Sequence, residues 1–171
     1  MESLVVMGVA GCGKSCVGSA VAAALEWPLL EGDDFHSAAN QKKMRSGVAL
    51  TDADRAEWLE LLAHQLGLHA GGAVLTCSAL KRSYRDKLRS ASPGLRFAWL
   101  DLSEASSLAR VAQRAPSHMF PPSLVASQFK ALEPPSGEPG VLRLDALAPL
   151  DSLCQQVMTW LAAAGVRPAG A

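Results

Sequence analysis

At 171 residues the chain has the length of one domain, and its 49% apolar composition suits a packed core and not a disordered segment. Sixteen basic side chains balance sixteen acidic ones, so the sequence lacks the positive charge that typifies nucleic-acid-binding proteins. An anionic ligand would therefore have to be held by a local group of cations.

The cysteines and the apolar segments exclude further classes of protein. Cys12, Cys16, Cys77 and Cys154 match no zinc-binding spacing and are too few for a disulfide scaffold, so we expect reduced thiols. No apolar run approaches the ~20 residues that cross a bilayer, and the first residues lack the pattern of a secretory signal. We expect a soluble cytoplasmic protein without a nucleic-acid or membrane partner.

The predicted elements alternate between strands and helices along most of the chain. In order, the sequence predicts a strand at 4–7, a helix at 14–25, a strand at 27–30, helices at 36–45 and 52–69, a strand at 73–77, a helix at 81–90, a strand at 96–102, helices at 103–112 and 123–132, a strand at 141–144 and a helix at 150–163. Residues 114–122 carry three prolines, which favour an excursion such as a mobile lid. This alternation indicates an α/β fold with a parallel five-stranded sheet flanked by helices, in one domain spanning 1–171.

Polar residues before two of these helices predict where the helices begin. Thr51 precedes the helix at 52–69, and Asp34 or Ser37 precedes the helix at 36–45. Each of these side chains can accept a hydrogen bond from the free amides of a first helical turn. We interpret Asp34 as a cap, which leaves its neighbour Asp33 for chemistry.

Residues 8–15 form the most informative motif. The segment Gly8-Val-Ala-Gly-Cys-Gly-Lys-Ser15 fits G-x-x-x-x-G-K-[ST], follows a predicted strand and opens a predicted helix, as a phosphate-binding loop (P-loop) does. Its glycines let backbone N–H groups surround an anion beside the positive end of a helix dipole. Lys14 is expected to reach the β- and γ-phosphates of a nucleotide, and Ser15 to ligate Mg²⁺. The expected nucleotide-binding residues here are Gly8, Val9, Ala10, Gly11, Cys12, Gly13, Lys14, Ser15 and Cys16.

Four further stretches combine with the P-loop into a family resemblance. They are 31–36, 52–55 with Trp58, 77–81 with Tyr84 and Arg85, and a weaker stretch at 110–134 that includes His118, Ser127 and Gln128. On these residues the sequence resembles the gluconate kinase (gluconokinase) family of P-loop kinases. The resemblance implies ATP- and Mg²⁺-dependent transfer to the 6-hydroxyl of D-gluconate, a fold like that of nucleoside monophosphate kinases with a small lid at about 114–122, and a homodimer. Glu31 stands where that family usually has aspartate.

The resemblance also assigns roles to individual side chains. Asp33 is expected to orient the acceptor hydroxyl and take its proton, while Arg110 stacks on adenine and Arg114 reaches the phosphates. The expected catalytic residues are thus Lys14, Asp33 and Arg114, and Glu31 is expected to contact the Mg²⁺ of Ser15 through water. The expected gluconate-binding residues are Asp33, His36, Lys43, Arg55, Ser78, Lys81, Tyr84 and Arg85. Each has a structural alternative, such as a helix cap, a solvated cation or an exposed helix face.

Other nucleotide-dependent functions fit the sequence less well. It contains no Asn-Lys-x-Asp segment for reading guanine, and the strand at 73–77 ends in Cys77 where an ATPase motor would carry aspartate. A second small-molecule kinase, such as shikimate kinase or a nucleoside monophosphate kinase, remains an alternative, as does a non-catalytic nucleotide-binding module. Phosphorylation assays on gluconate, shikimate and AMP separate the kinases.

Overall fold

A computed structural model describes residues 2–114 and 118–170. Within these residues, five strands form one parallel sheet in the order β2-β3-β1-β4-β5. The strands are β1 (Leu4–Met7), β2 (Leu29–Glu31), β3 (Val74–Thr76), β4 (Arg96–Asp101) and β5 (Val141–Asp145). Because parallel neighbours need crossover connections, each strand is joined to the next through helical segments. The expected parallel α/β sheet is confirmed.

Seven α-helices surround this sheet in the part of the chain that is described. They are α1 (Lys14–Leu25), α2 (Ala38–Arg45), α3 (Asp52–Leu68), α4 (Arg82–Ala91), α5 (Glu104–Ala112), α6 (Val125–Ala131) and α7 (Leu150–Ala163). Two short 3₁₀ turns, Gly32–Phe35 and Pro122–Leu124, precede α2 and α6. Among the described residues, none of these helices is long and apolar enough to cross a lipid bilayer.

The central strand β1 separates two apolar cores. Its four residues are fully buried, and because side chains of a strand alternate between faces, Leu4 and Val6 enter one core while Val5 and Met7 enter the other. The first core is closed mainly by α1 and α7, and the second by α3 and α4. Burial on both faces holds β1 rigidly, so the loop after Met7 starts from a defined point at the carboxyl edge of the sheet.

Several boundaries differ from the sequence-based expectation by one or two residues. The strand predicted at 27–30 begins at Leu29 and ends at Glu31, because Trp27 packs its side chain into the α1–α7 core without joining the sheet. The helix predicted from residue 36 begins at Ala38, because the 3₁₀ turn comes first. Its cap is Ser37, whose side chain accepts a hydrogen bond from the amide of Asn40, so the interpretation of Asp34 as the cap is wrong. The other predicted cap, Thr51, is confirmed.

Candidate active site

The loop after β1 has the backbone geometry of an anion site. Gly8, Gly11 and Gly13 all have positive φ angles, and a Cβ at Gly8 would lie 2.7 Å from the carbonyl oxygen of Leu100, so a side chain has no room there. The first backbone bond of α1 runs from the amide of Val17 to the carbonyl of Gly13. The first-turn amides that precede Val17 thus have no partner within the helix, and they point toward its N-terminus, where an anion is favoured.

Two cationic side chains fold onto this loop. The Lys14 ammonium donates hydrogen bonds to the carbonyls of Gly8 (3.1 Å) and Val9 (3.2 Å), so it lies over the concave face of the loop. Arg110 on α5 donates to the carbonyl of Gly11 at 3.1 Å and to that of Ala146 at 3.3 Å. Arg110, which the resemblance places on adenine, therefore links the P-loop to the segment after β5.

Oxygen ligands gather at the start of α1 and the end of β2. The Ser15 hydroxyl donates to Oε2 of Glu31 at 3.1 Å, and the same carboxylate oxygen accepts a bond from the hydroxyl of Thr76 at 2.5 Å. Asp33 and Asp34 line the same recess. Oxygen ligands are those that Mg²⁺ prefers, so the donor set fits that ion. Among the described residues, no three His, Cys, Asp or Glu side chains form a metal-binding group by themselves.

The turn that carries Asp33 is pressed against the end of β3. The amide of Gly32 donates to the Thr76 hydroxyl at 3.3 Å, and its carbonyl accepts a bond from the indole nitrogen of Trp58 at 2.8 Å. A Cβ at Gly32 would lie 2.2 Å from the carbonyl oxygen of Thr76, so only glycine allows this approach. These contacts hold Asp33, which lines the cleft, at the carboxyl edge of the sheet.

His36 stacks on Trp58 beside the cleft. The two ring centroids are 4.2 Å apart at an interplanar angle of 15°. Burial lowers the pKa of His36 from 6.5 to about 4, the nearby Asp33 carboxylate raises it in part, and Arg55 lowers it further. At neutral pH the imidazole is therefore uncharged, which suits a group that hydrogen-bonds to hydroxyls and does not compete for a proton.

The buried imidazole predicts how the stability of the protein depends on pH. Unfolding returns His36 to water, so between pH 6.5 and about 4 the unfolded chain binds a proton that the folded chain does not. The stability contributed by the neutral form is complete above about pH 6.5 and decreases as the pH falls toward 4. Melting temperatures between about pH 5 and pH 7 should fall less steeply in His36→Phe, which can stack but cannot titrate. His64→Phe, at an exposed histidine, is the control. If the melting temperature of His36→Phe fell with pH as steeply as those of the wild type and of this control, the prediction would be contradicted.

Five of the expected catalytic and substrate-binding side chains meet Lys14 and Ser15 in one cleft. The cleft lies between the P-loop, the Asp33 turn, α3, the end of β3 and the segment leading to α6. The side chains in question are Asp33, His36, Arg55, Ser78 and Arg114. Ala10, Gly13 and Cys16 of the expected nucleotide-binding segment line it as well. The cleft thus joins a phosphate-binding end to a region of mixed polar and apolar character.

Three other expected substrate residues lie outside the cleft lining and are held by aspartates. Lys43 donates to Asp54 at 2.8 Å, and Lys81 donates to Asp52 at 2.9 Å. The Tyr84 hydroxyl also donates to Asp52, and the Arg55 guanidinium lies 5.8 Å from the Tyr84 ring centroid. Tyr84 and the Lys81–Asp52 pair therefore lie next to Arg55, which itself lines the cleft.

The structure does not bring Arg85 to the cleft. Its side chain is fully buried and donates to the carboxylate of Glu138 and to the carbonyls of Ala79 (2.7 Å), Leu80 (3.1 Å) and Glu133 (3.0 Å). The hydrogen bonds from Arg85 lower the pKa of Glu138, and Arg89, which also contacts this carboxylate, lowers it further. The expected substrate contact of Arg85 does not fit this placement, because the guanidinium faces the loop before β5.

Removing Arg85 should therefore reduce stability and leave substrate affinity unchanged. Breaking a buried ion pair from one side costs about 3–5 kcal/mol, so Arg85→Met should lower the free energy of unfolding by that order. Arg82→Met is the matched control, because its side chain is 68% exposed and pairs with Asp86 only at 3.7 Å, and it should change stability by less than about 0.5 kcal/mol. Urea unfolding measures both variants. A raised KM for the acceptor in Arg85→Met, without loss of stability, would instead support a substrate contact.

Among its described residues, the segment expected to form a lid contributes four side chains to the cleft lining, Arg114, His118, Met119 and Phe120. Of residues 114–122, residues 115–117 lie outside the described part of the chain. The guanidinium of Arg114 lies 3.1 Å from Nε2 of His118, and both side chains line the cleft. Burial lowers the pKa of His118, and the charge of Arg114 lowers it further. A second neutral imidazole therefore lies at the cleft.

Trp58 and Gln128 line the cleft although the sequence-based prediction gave neither of them a role. Trp58 entered only as part of the resemblance; it is 4% exposed, yet it lines the cleft, stacks on His36 and holds Gly32. Gln128 entered only as part of the resemblance, and its side chain accepts a hydrogen bond from the amide of Ala10 in the P-loop. Neither contact has a local sequence signal, because each joins segments far apart in the chain.

Known proteins match the chain over nearly its whole length. A protein-family profile described as an AAA domain matches residues 4–135. The chain is 48% identical to the gluconokinase of Gluconobacter oxydans (strain 621H), covering 82% of this chain and 80% of that protein, and 42% identical to the thermosensitive gluconokinase of Escherichia coli (strain K12), covering 92% and 87%. The crystal structure of a gluconokinase from Sinorhizobium meliloti 1021 superposes with a TM-score of 0.87 at 43% identity, over 95% of this chain and 93% of that one. Similarity of this extent shows that the protein belongs to the gluconokinase family of P-loop kinases.

Proposed function

We propose that the protein transfers the γ-phosphoryl group of ATP to the 6-hydroxyl of D-gluconate and releases 6-phospho-D-gluconate. The observation that carries the proposal is that the P-loop lysine, Lys14, and the carboxylate of Asp33 line the same cleft. Phosphoryl transfer requires little covalent chemistry from a protein. It requires in-line placement of the hydroxyl and neutralisation of charge on the transferred group, and this cleft offers both kinds of side chain.

The nucleotide occupies the P-loop end in this proposal. The free amides of the first turn of α1 bind the phosphates, and Lys14 exchanges its bonds to two loop carbonyls for bonds to the β- and γ-phosphates. Arg114 neutralises charge on the transferred group from the lid side. Arg110, already linked to the P-loop and to Ala146, borders the adenine.

Ser15 and Glu31 are the residues that would hold Mg²⁺. The Ser15 hydroxyl is a direct ligand in this proposal, and the Glu31 carboxylate binds a water of the ion. When bound, the ion neutralises charge on the β- and γ-phosphate oxygens. Thr76 keeps Glu31 in place through its hydroxyl. Glutamate in the position usually held by aspartate therefore retains the acidic group that the site needs.

The acceptor occupies the other end of the cleft. Asp33 orients the 6-hydroxyl and takes its proton as the new bond forms, while the neutral His36 hydrogen-bonds to another hydroxyl. Arg55 binds the carboxylate, since a guanidinium can hold it through two parallel hydrogen bonds. Its Nη1 donates to the carbonyl of Leu50, and among the described residues no carboxylate pairs with it. Ser78, at the end of β3, also faces the acceptor.

The proposal includes four features of the whole protein. Residues 1–171 act as one kinase unit, in which residues 114–122 close over the nucleotide. The active ion is Mg²⁺, the protein works in the cytoplasm and it forms a homodimer, as the family resemblance implies. Light scattering of the purified protein tests the dimer, and activity with Mg²⁺ compared with a chelator tests the ion.

A panel of acceptors tests the proposed reaction. ADP release, coupled to a spectroscopic assay, is measured with gluconate, other aldonic acids, shikimate and AMP at equal concentrations. The proposal requires that gluconate give the highest kcat/KM and that its product carry phosphate on the 6-oxygen. A higher kcat/KM for shikimate or AMP would indicate that the protein is a kinase of another class. ADP·Mg²⁺ binding without turnover of any acceptor would indicate a nucleotide-binding module.

A further inference from the structure

Both polar backbone groups of Ala10 are held by side chains from outside the P-loop. The amide of Ala10 donates to the side-chain carbonyl of Gln128 on α6 at 2.7 Å. The carbonyl of Ala10 accepts a hydrogen bond from the hydroxyl of Ser107 on α5 at 2.6 Å, and this second contact is buried. Ala10 is itself 6% exposed and packs against Val111 of α5 and Val125 of α6.

These contacts link the P-loop to the two helices that border the expected lid. The segment 114–122 connects α5 to α6, so Ser107 lies before it and Gln128 after it. Gln128 lines the cleft, whereas Ser107 is fully buried and does not. The amide and the carbonyl of Ala10 belong to two successive peptide groups, and both groups can keep their orientation only while the two helices keep their spacing.

We propose that Gln128 is a positioning residue for nucleotide binding. By accepting the amide hydrogen of Ala10, its side-chain carbonyl holds the first half of the P-loop in the shape that turns the following amides toward the phosphates. Ser107 performs the same task on the opposite side of Ala10. Because the Ala10 amide is already bonded to Gln128, the phosphates are left to the amides nearer to α1. The inference rests on the proposed function, since it concerns the nucleotide end of the same cleft.

The test measures ADP·Mg²⁺ affinity by calorimetric titration in Gln128→Met and Ser107→Ala. Each variant removes one hydrogen bond to Ala10, so each should raise the Kd by about three- to tenfold, the factor for one neutral hydrogen bond. Gluconate KM should stay unchanged. In the nucleotide-free protein, exchange of the Ala10 amide hydrogen should accelerate in Gln128→Met. The matched control is Gln156→Met, because Gln156 is an exposed residue of α7 whose side chain donates to Ser152 of the same helix, and this variant should change none of these values.

The possible outcomes separate this role from the others. An unchanged Kd in either folded variant would overturn the inference, and Ser107→Ala decides the matter if Gln128→Met does not fold. A raised gluconate KM with unchanged nucleotide affinity would make Gln128 a direct substrate contact and also overturn it. Equal loss of affinity for both substrates, together with a lowered melting temperature, would assign Gln128 to overall stability. If the wild-type protein itself failed to bind ADP·Mg²⁺, the proposed function would fail instead.

Discussion

Lys14→Ala should lower kcat by about 10³-fold or more, because it removes the ammonium that stabilises charge on the transferred phosphoryl group. The fold should survive, since the contacts of the Lys14 ammonium within the described residues are the carbonyls of Gly8 and Val9 and, at 3.9 Å, the sulfur of Cys12. Initial rates at saturating gluconate, together with the melting temperature of the variant, measure the two effects separately.

Lys87→Ala is the matched control for this experiment. Lys87 lies on α4 and pairs with Glu60 on the protein surface, where such a pair contributes about 0–1 kcal/mol. The control should therefore keep wild-type kcat and nearly wild-type stability. If Lys14→Ala retained a tenth or more of the wild-type kcat while remaining folded, the assignment of Lys14 to the phosphates would have to be abandoned.

Asp33→Asn should lower kcat by about 10²–10⁴-fold, the usual contribution of a general base. Asparagine has nearly the same shape, so the 3₁₀ turn Gly32–Phe35 and its contacts to Thr76 and Trp58 should persist. What disappears is the group that accepts the proton of the acceptor hydroxyl. Gluconate KM should change much less than kcat, because an amide can still hydrogen-bond to that hydroxyl.

The same chemical change at an exposed aspartate provides the comparison. Asp151 lies on the surface, in the first turn of α7. Asp151→Asn should therefore leave kcat at the wild-type value. A wild-type kcat in Asp33→Asn would remove Asp33 from catalysis. A rise in KM alone would leave it as a binding residue.

Local patterns predicted the strand, loop and helix of residues 4–25. Gly8, Gly13, Lys14 and Ser15 all lie within residues 8–15. The geometry of the loop therefore follows from residues that are close together in the sequence. The apolar run 4–7 likewise indicated a strand, and the structure confirms it as β1. Trp27 shows the limit of this reasoning, because an apolar side chain indicates burial and does not reveal whether its backbone joins a sheet. The core between α1 and α7 buries Trp27 outside the strand.

The acceptor end of the cleft was harder to predict, because its charged side chains pair with residues far along the chain. The family resemblance implied that Lys81, Tyr84 and Arg85 all bind gluconate. In the structure, Lys81 and Tyr84 bind Asp52, and Arg85 binds Glu138, which is 53 residues away. A cation on a helix can face a ligand, the solvent or a buried acid. Only the packing of α3 and of the loop before β5 decides among these.

The amino-acid sequence by itself determined the class of fold, the P-loop and the family, because these depend on periodicity and on motifs within short segments. The tertiary structure alone decided which polar side chains reach the cleft and which lie outside its lining. It also revealed that Trp58 holds the Asp33 turn and that Ser107 and Gln128 hold Ala10. The physical reason is that hydrogen bonds and ion pairs act over a few ångströms of space. Residues with no relation in the sequence therefore become partners only when the sheet brings their helices together.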